Sequence, residues 1–322
     1  MGYGARYVSR HPRCLPMLNA FILRVGLALA VALGVATLVF LLLHLAPGDP
    51  VEAMLGESAS AADRAALRTA MGLDAPLPLQ WGRYMAGLVR GDLGRSLGSQ
   101  QAVAALILER VPYTATLAFA ALVLALALAL PLGLGAALHP GGICDRASSG
   151  LAVLGMSLPS FVLGPLLMMC FAVWLGWLPV SGSEGPAALI LPAATLGLAL
   201  AAPLARMVRV AVGEVLREAF ITAAHARGLP PRSVLWRHAL RNAALPLLTL
   251  VGMQLGALLG GAVVTEMVFG WAGLGQLALD AIQRRDYPLV QGCVLAISLS
   301  YVAINLLTDL CYQLADPRVR VG

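Results

Sequence analysis

Residues 111–138 read VPYTATLAFAALVLALALALPLGLGAAL, 28 consecutive positions without an acidic or basic side chain. A helix needs only about 20 mostly apolar residues to cross the hydrocarbon layer of a bilayer, so this stretch is long enough to span with length to spare. Backbone groups in lipid must be hydrogen-bonded within the segment, and one isolated run satisfies that only as a helix. Working outward, the same criterion picks out 25–43 towards the N-terminus. Towards the C-terminus it picks out a run within 147–183 that should end near Trp174, then 187–205, 242–265 and 287–308. The expectation is an all-α polytopic membrane protein with six transmembrane helices.

The rest of the composition agrees. Of the 322 residues 59% are hydrophobic and only 12% charged, well away from a soluble globular domain. The chain has no Lys, so all 22 basic residues are Arg. With the N-terminus inside, 14 of them fall on one side of the six spans, including Arg6, Arg10, Arg13, Arg24, Arg146 and seven between Arg206 and Arg241. Six of the remaining eight lie in one long segment alongside seven acids. Long translocated segments count little in the positive-inside rule, so both termini are expected in the cytoplasm. The net charge of +6 is then a matter of topology and no argument for nucleic acid. Cys14, Cys144, Cys170, Cys293 and Cys311 show no CxxC pair and no metal-like spacing, which suggests free thiols. No small-residue cleavage site follows the first apolar run, which leads instead into Gly48-Asp49-Pro50; an uncleaved first helix is expected.

These runs divide the chain into a cytoplasmic segment 1–24, a first helix 25–46, an external helical subdomain 47–110, a five-helix core 111–312 and a cytoplasmic tail 313–322. Within 47–110, Ser60 and Asp63 have capping-box spacing, and the helix they open should end at Gly72. A second helix follows Pro78 and stops before Gly91, and Val103, Leu106 and Ile107 mark a third, amphipathic one. Such a unit suits either a solvated cap or a docking surface for an external protein. Between the fourth and fifth spans, 213–245 continues in helix-forming residues to Arg227, breaks at Gly228-Leu229-Pro230-Pro231 and resumes. That pattern describes a helix-turn-helix elbow on the cytoplasmic side.

In the fifth span Gly252, Gly256 and Gly260 recur every four residues, a ridge lacking side chains that permits either close helix approach or an open path. Gln254 suits a hydrogen bond to a passing solute or to a neighbouring helix. Glu266 and Asp309 read as helix-end residues for which interfacial water suffices. No intramembrane acid is matched to an Arg or His, as an ion-coupled carrier would require, which counts against secondary transport. Without Lys a Walker-type phosphate loop is excluded. There is no HExxH or GxSxG, so no catalytic residue, cofactor site or metal site is assigned.

The elbow Arg217-Glu218-Ala219-Phe220-Ile221-Thr222-Ala223-Ala224-His225-Ala226-Arg227-Gly228-Leu229, followed by Arg237-His238-Ala239-Leu240-Arg241-Asn242 and Leu245-Pro246, resembles the cytoplasmic loop of ABC importer permeases, in particular the dipeptide, oligopeptide and nickel branch. The resemblance extends to Gly48-Asp49-Pro50, Gly91-Asp92-Leu93-Gly94 with Ser96, Ser157-Leu158-Pro159-Ser160-Phe161, Phe269 to Gly275, Asp286-Tyr287-Pro288 and Asp316-Pro317-Arg318-Val319-Arg320, nearly the whole chain. It implies the type I ABC importer permease fold in a bacterial inner membrane. The implied partners are a second homologous permease, two ATPase subunits that bind ATP and Mg, and an external solute-binding protein.

In that family a short coupling helix in the elbow enters a groove on the ATPase, a role that falls here on Thr222, Ala223, Ala224, Gly228 and Leu229. Where the family's motif carries an acid this chain has Thr222, so a salt bridge there cannot form. The resemblance makes this chain half of a translocation pathway for di- or oligopeptides, with nickel, metal chelates and glutathione as alternative cargoes. From other classes, an ion-coupled carrier or a non-transporting scaffold remain as readings. ATP hydrolysis is expected in separate subunits.

Overall fold

A computed structural model describes residues 15–45, 51, 60–70 and 72–315. Gly48-Asp49-Pro50, the segment before Leu15 and the tail from Asp316 lie outside the described residues. What is described is helical, with no strand among these residues and one isolated bridge between Arg95 and Ala102.

α1 (Leu15–Leu45) is followed by two short helices, α2 (Ala61–Ala70) and α3 (Leu77–Val89). Ser60 opens α2: its hydroxyl accepts from the Asp63 amide at 3.1 Å and donates to the Asp63 carboxylate at 2.6 Å. Gly72, at φ +68°, turns the chain out of it. α3 leans on α1, with Trp81 Nε1 donating to Thr37 Oγ1 at 3.2 Å and the Phe40 and Tyr84 rings stacked at 5.8 Å.

α4 (Val103–Leu138) runs through residue 110 without a break, so the amphipathic stretch expected as a separate third helix is the first part of a 36-residue helix. Pro112 does not end it. The expected boundary at 110 therefore falls inside a helix, as do those at 24 in α1 and at 312 in α11 (Tyr287–Ala315).

α5 (Ile143–Ser157) and α6 (Ser160–Met168) together occupy the place of the third span, broken at Pro159, whose backbone is extended and whose ring opens α6. α6 runs on through a π-helical segment, Met169–Trp174, and stops at the expected Trp174. α7 (Gly185–Leu216) is the fourth span, continuing into the elbow. The fifth is α9 (Leu240–Phe269), preceded by α8 (Ala219–Ala226), a single turn Pro231–Ser233 and a π-helical segment Val234–Ala239. A helix not expected from the sequence, α10 (Leu274–Gln283), follows at a 75° bend before α11.

Among the described residues, three stretches are long and apolar enough to cross a bilayer by themselves: Val103–Leu138, Gly185–Leu216 and Tyr287–Thr308. The apolar pieces at the other three places, Gly26–Leu41, Ser160–Trp174 and Pro246–Gly256, are shorter.

α4 and α7 form the centre of the bundle, and small residues let them do so. Ala121, Ala125 and Ala129 on α4 and Ala201 and Ala205 on α7 are completely buried. A Cβ on Gly133 would sit 2.6 Å from the Ala205 carbonyl oxygen, so the next position in that four-residue stripe must be glycine. Lipid tails are as apolar as Leu, so close van der Waals contact rather than water expulsion holds such a pair together. At the far end of α4, Arg209 of α7 meets the Asp145 carboxylate at 3.0 Å, and that carboxylate also accepts the Gly141 amide at 2.8 Å, closing the tight turn into α5. Cys144, Cys170 and Cys293 are free thiols.

Candidate functional site

The two ends of α9 carry the chemistry, and they are built differently. At its N-terminal end is the elbow. α7 stops at Arg217, and Glu218 takes an extended backbone that redirects the chain into the eight residues of α8. Gly228, at φ +77°, closes that helix: its amide bonds the His225 carbonyl at 2.9 Å and the Leu229 amide reaches back to the Ala224 carbonyl at 3.3 Å. No atom lies within 4 Å of where a Gly228 Cβ would be, so glycine is required by the left-handed turn alone.

Pro230 and Pro231 then start the return, and Val234–Ala239 winds it into α9. Ile221 and Ala224 from α8 pack on Val234 and Ala239, with Val215, Leu216, Leu229 and Leu235 around them. The elbow thus has its own small core.

This packing divides the five residues assigned to coupling. Thr222, Ala223 and Gly228 face outward, whereas Ala224 is buried and Leu229 half-buried in the elbow's core. The outward surface of α8 combines the short side chains of Ala219, Thr222, Ala223 and Ala226 with the exposed Phe220 and His225.

At the other end of α9, Glu266 is completely buried. Its carboxylate accepts the Thr114 hydroxyl at 2.7 Å, the Gly275 amide at 2.7 Å and the Gln276 amide at 3.3 Å. Thr114 Oγ1 in turn accepts the Leu274 amide at 2.8 Å. The first amides of α10, which a helix start leaves without backbone acceptors, are thus held by one acid and one hydroxyl from two other helices. The expectation that interfacial water serves Glu266 is corrected: protein donors serve it. A side chain on Gly273 would overlap its carboxyl group, and one on Gly275 would press on the Val263 backbone at 2.6 Å. Trp271 Nε1 donates to the Tyr113 carbonyl at 3.0 Å and completes the seam with α4. The glycines spaced through 270–275 were the available signal, for a backbone packed against a buried group has no room for side chains.

Nearby, two distant motifs meet. Ser96 donates to Asp286 at 2.5 Å, and the Gly98 and Leu289 amides bond the same carboxylate at 3.2 and 3.3 Å. A Cβ on Gly94 would touch Pro288 at 3.8 Å. The loop 91–101 is therefore pinned to the start of α11. Neither Ser96 nor Asp286 had been assigned a role from the sequence.

Gly252 and Gly256 face α11. A Cβ at Gly252 would overlap Thr308, and one at Gly256 would lie 2.6 Å from the Tyr301 ring, so these glycines set the α9–α11 spacing. Gln254, two residues from each, lies on the opposite side of the helix and is half-buried. Gly260 continues α9, and its surroundings are outside the described residues. A cavity of about 420 Å³ opens between α4, α9, α10 and α11, lined by apolar side chains such as Phe119, Leu255 and Ile304 together with Thr114, Glu266 and Ser300.

A bundle of apolar helices with a broken third span and a self-packed elbow between the fourth and fifth describes a helical integral membrane protein. The chain belongs to the family of binding-protein-dependent transport system inner membrane components, whose pattern it matches over residues 129–321, with the family's N-terminal component matched over 17–118. It is 42% identical to the glutathione transport system permease protein GsiC of Pectobacterium atrosepticum over 94% of this chain and 99% of that one. It is 40% identical, with the same coverage, to the protein of that name from Escherichia coli K12.

Among solved structures, the MetNI methionine ABC transporter in an inward-facing conformation matches with a TM-score of 0.55 at 22% identity, covering 66% of this chain and 96% of that one. An amino acid ABC transporter matches with a TM-score of 0.51 at 19% identity, covering 67% and 94%. These two show the fold. The chain is the permease of an ABC importer, a multi-pass protein of the inner membrane.

Proposed function

We propose that this permease imports small peptides of the glutathione class, forming half of the path together with a second homologous permease. The cargo reading rests on the 42% identity to a glutathione permease across nearly the full length of both chains. In this reading an external binding protein delivers the cargo, and two ATPase subunits bind ATP and Mg and drive the cycle. The elbow lies in the cytoplasm with both termini. Thr222, Ala223 and Gly228 present the contact surface to an ATPase subunit, and Ala224 and Leu229 hold that surface in shape from within. Gln254 faces the path. Gly252, Gly256 and, continuing the same ridge, Gly260 keep α9 close enough to α11 for the path to stay narrow.

The test is uptake of labelled glutathione by cells lacking their own glutathione importers and expressing this chain with the subunits encoded beside it. Saturable uptake that disappears when ATP is depleted is expected. Uptake of longer peptides or a nickel chelate with none of glutathione would overturn the cargo reading and leave the importer intact. Solute movement by the purified chain without any ATPase would overturn the coupling.

A further inference from the structure

The outward face of the return segment, on the side away from the elbow's core, carries residues that the coupling assignment does not use. Between Pro231 and Asn242 the chain carries Arg232, Arg237 and Arg241 and no acid. Its orientation is settled by packing: Val234 and Ala239 are buried at 1% and 0%, while Arg232, Trp236, Arg237 and Arg241 are all exposed. Trp236 is 68% exposed, an indole left in the open next to three guanidinium groups. Val234–Ala239 is π-helical, the Leu240 amide bonding the Leu235 carbonyl five residues back. Side chains four and five apart then share a face, which aligns Arg232, Trp236 and Arg241.

The position of this face along the chain selects its occupant. From Ala243 onward α9 is free of charge until Glu266, so the segment enters the hydrocarbon layer just beyond Asn242. At about 1.5 Å per residue Trp236 lies roughly 10 Å before that point, at the depth of the headgroups. Indole rings favour that layer because the ring is apolar and the N–H is polar, and guanidinium groups bind phosphate oxygens in pairs. A segment whose only charges are cationic, carrying an exposed indole at headgroup depth and continuous with a membrane span, fits an anionic bilayer surface.

We infer that Arg232, Trp236, Arg237 and Arg241 form a binding face for anionic phospholipid headgroups, seating the elbow on the membrane while its tip stays free. The inference rests on the membrane placement of the chain and not on the coupling or cargo readings.

The experiment reconstitutes the full chain, with its partner subunits, into nanodiscs of zwitterionic lipid containing a minor fraction of brominated phosphatidylglycerol or, separately, of brominated phosphatidylcholine. Trp236 quenching is read as the difference between the wild type and Trp236→Phe. The glycerol lipid should quench Trp236 more strongly than the choline lipid at equal fraction. Replacing the arginines by Gln should lower that preference about five-fold for each charge removed, whereas Lys at the same places should retain it. Equal quenching by both lipids would overturn the inference, leaving a contact with acyl chains only. So would a Trp236 that neither lipid quenches in the assembled discs, for then the face is a protein interface. Uptake and ATP hydrolysis measured on the same discs report separately on transport.

Discussion

The two ends of α9 solve opposite problems. The Glu266 end is fixed by buried hydrogen bonds between residues far apart in the chain, 152 positions for Thr114 and Glu266 and 190 for Ser96 and Asp286. The elbow end is fixed by apolar contacts among residues 215–239, all within one short stretch, and by a glycine that nothing touches. A buried carboxylate that loses a donor cannot make up the loss from water, so the first arrangement resists rearrangement. The elbow's own contacts are local, and Val215, Leu216 and Leu235 join its core to Val208, Val212 and Ala243 at the end of the bundle. In the proposed coupling the elbow transmits displacement, while the Glu266 end keeps the helices in register.

The largest test of the contrast removes the acid. Glu266→Ala would leave the Thr114 hydroxyl and the Gly275 and Gln276 amides buried without their acceptor, at a cost of about 3 kcal/mol or more. A clear fall in thermal unfolding temperature in detergent is expected, smaller for Glu266→Gln, which keeps an acceptor oxygen. An unchanged melting curve for the alanine variant would mean that the clasp contributes nothing to rigidity.

Gly252→Ala should cost about 2 kcal/mol by overpacking against Thr308. Adding Thr308→Ala should restore much of it, and failure of that rescue would refute direct α9–α11 packing. Ser96→Ala deprives Asp286 of one donor and should cost about 1 to 1.5 kcal/mol, seen as earlier proteolysis in the loop 91–101. At the elbow, Gly228→Ala strains the left-handed turn by about 1 kcal/mol and should lower ATP-coupled uptake more than it lowers stability, the reverse of the Glu266 result. Thr222→Glu, on the exposed surface, should change stability by less than about 0.5 kcal/mol and act on ATPase stimulation alone. A large stability loss there would place Thr222 inside the fold.

How much of this was legible in the sequence follows from the same contrast. The elbow was readable because its determinants are local: Gly228, the two prolines that follow it, and helix formers on either side. The capping box at Ser60 was readable for the same reason, and the apolar helices were readable because charge cannot enter lipid unnoticed. The Glu266 end was not. A lone acid near the end of an apolar run looks solvated until α10 is known to fold back over it, and the sequence of α10 gives no span-length signal because it is ten residues long. The pairing of Ser96 with Asp286 is a contact at a distance that no local pattern encodes. The unbroken course of α4 was hidden because the span was bounded by charge, and Glu109 and Arg110 end the uncharged run without ending the helix.

The Ser96–Asp286 staple also sets an order of events during synthesis. The elbow's core is complete once residue 239 has left the ribosome, but Ser96 must wait for a partner 190 residues downstream, about 10 to 40 s at ordinary elongation rates. For that interval the loop 91–101 lacks its anchor, and a chain cut short before Asp286 never closes it. An unanchored loop 91–101 is therefore the structural mark of a chain that has not yet reached Asp286.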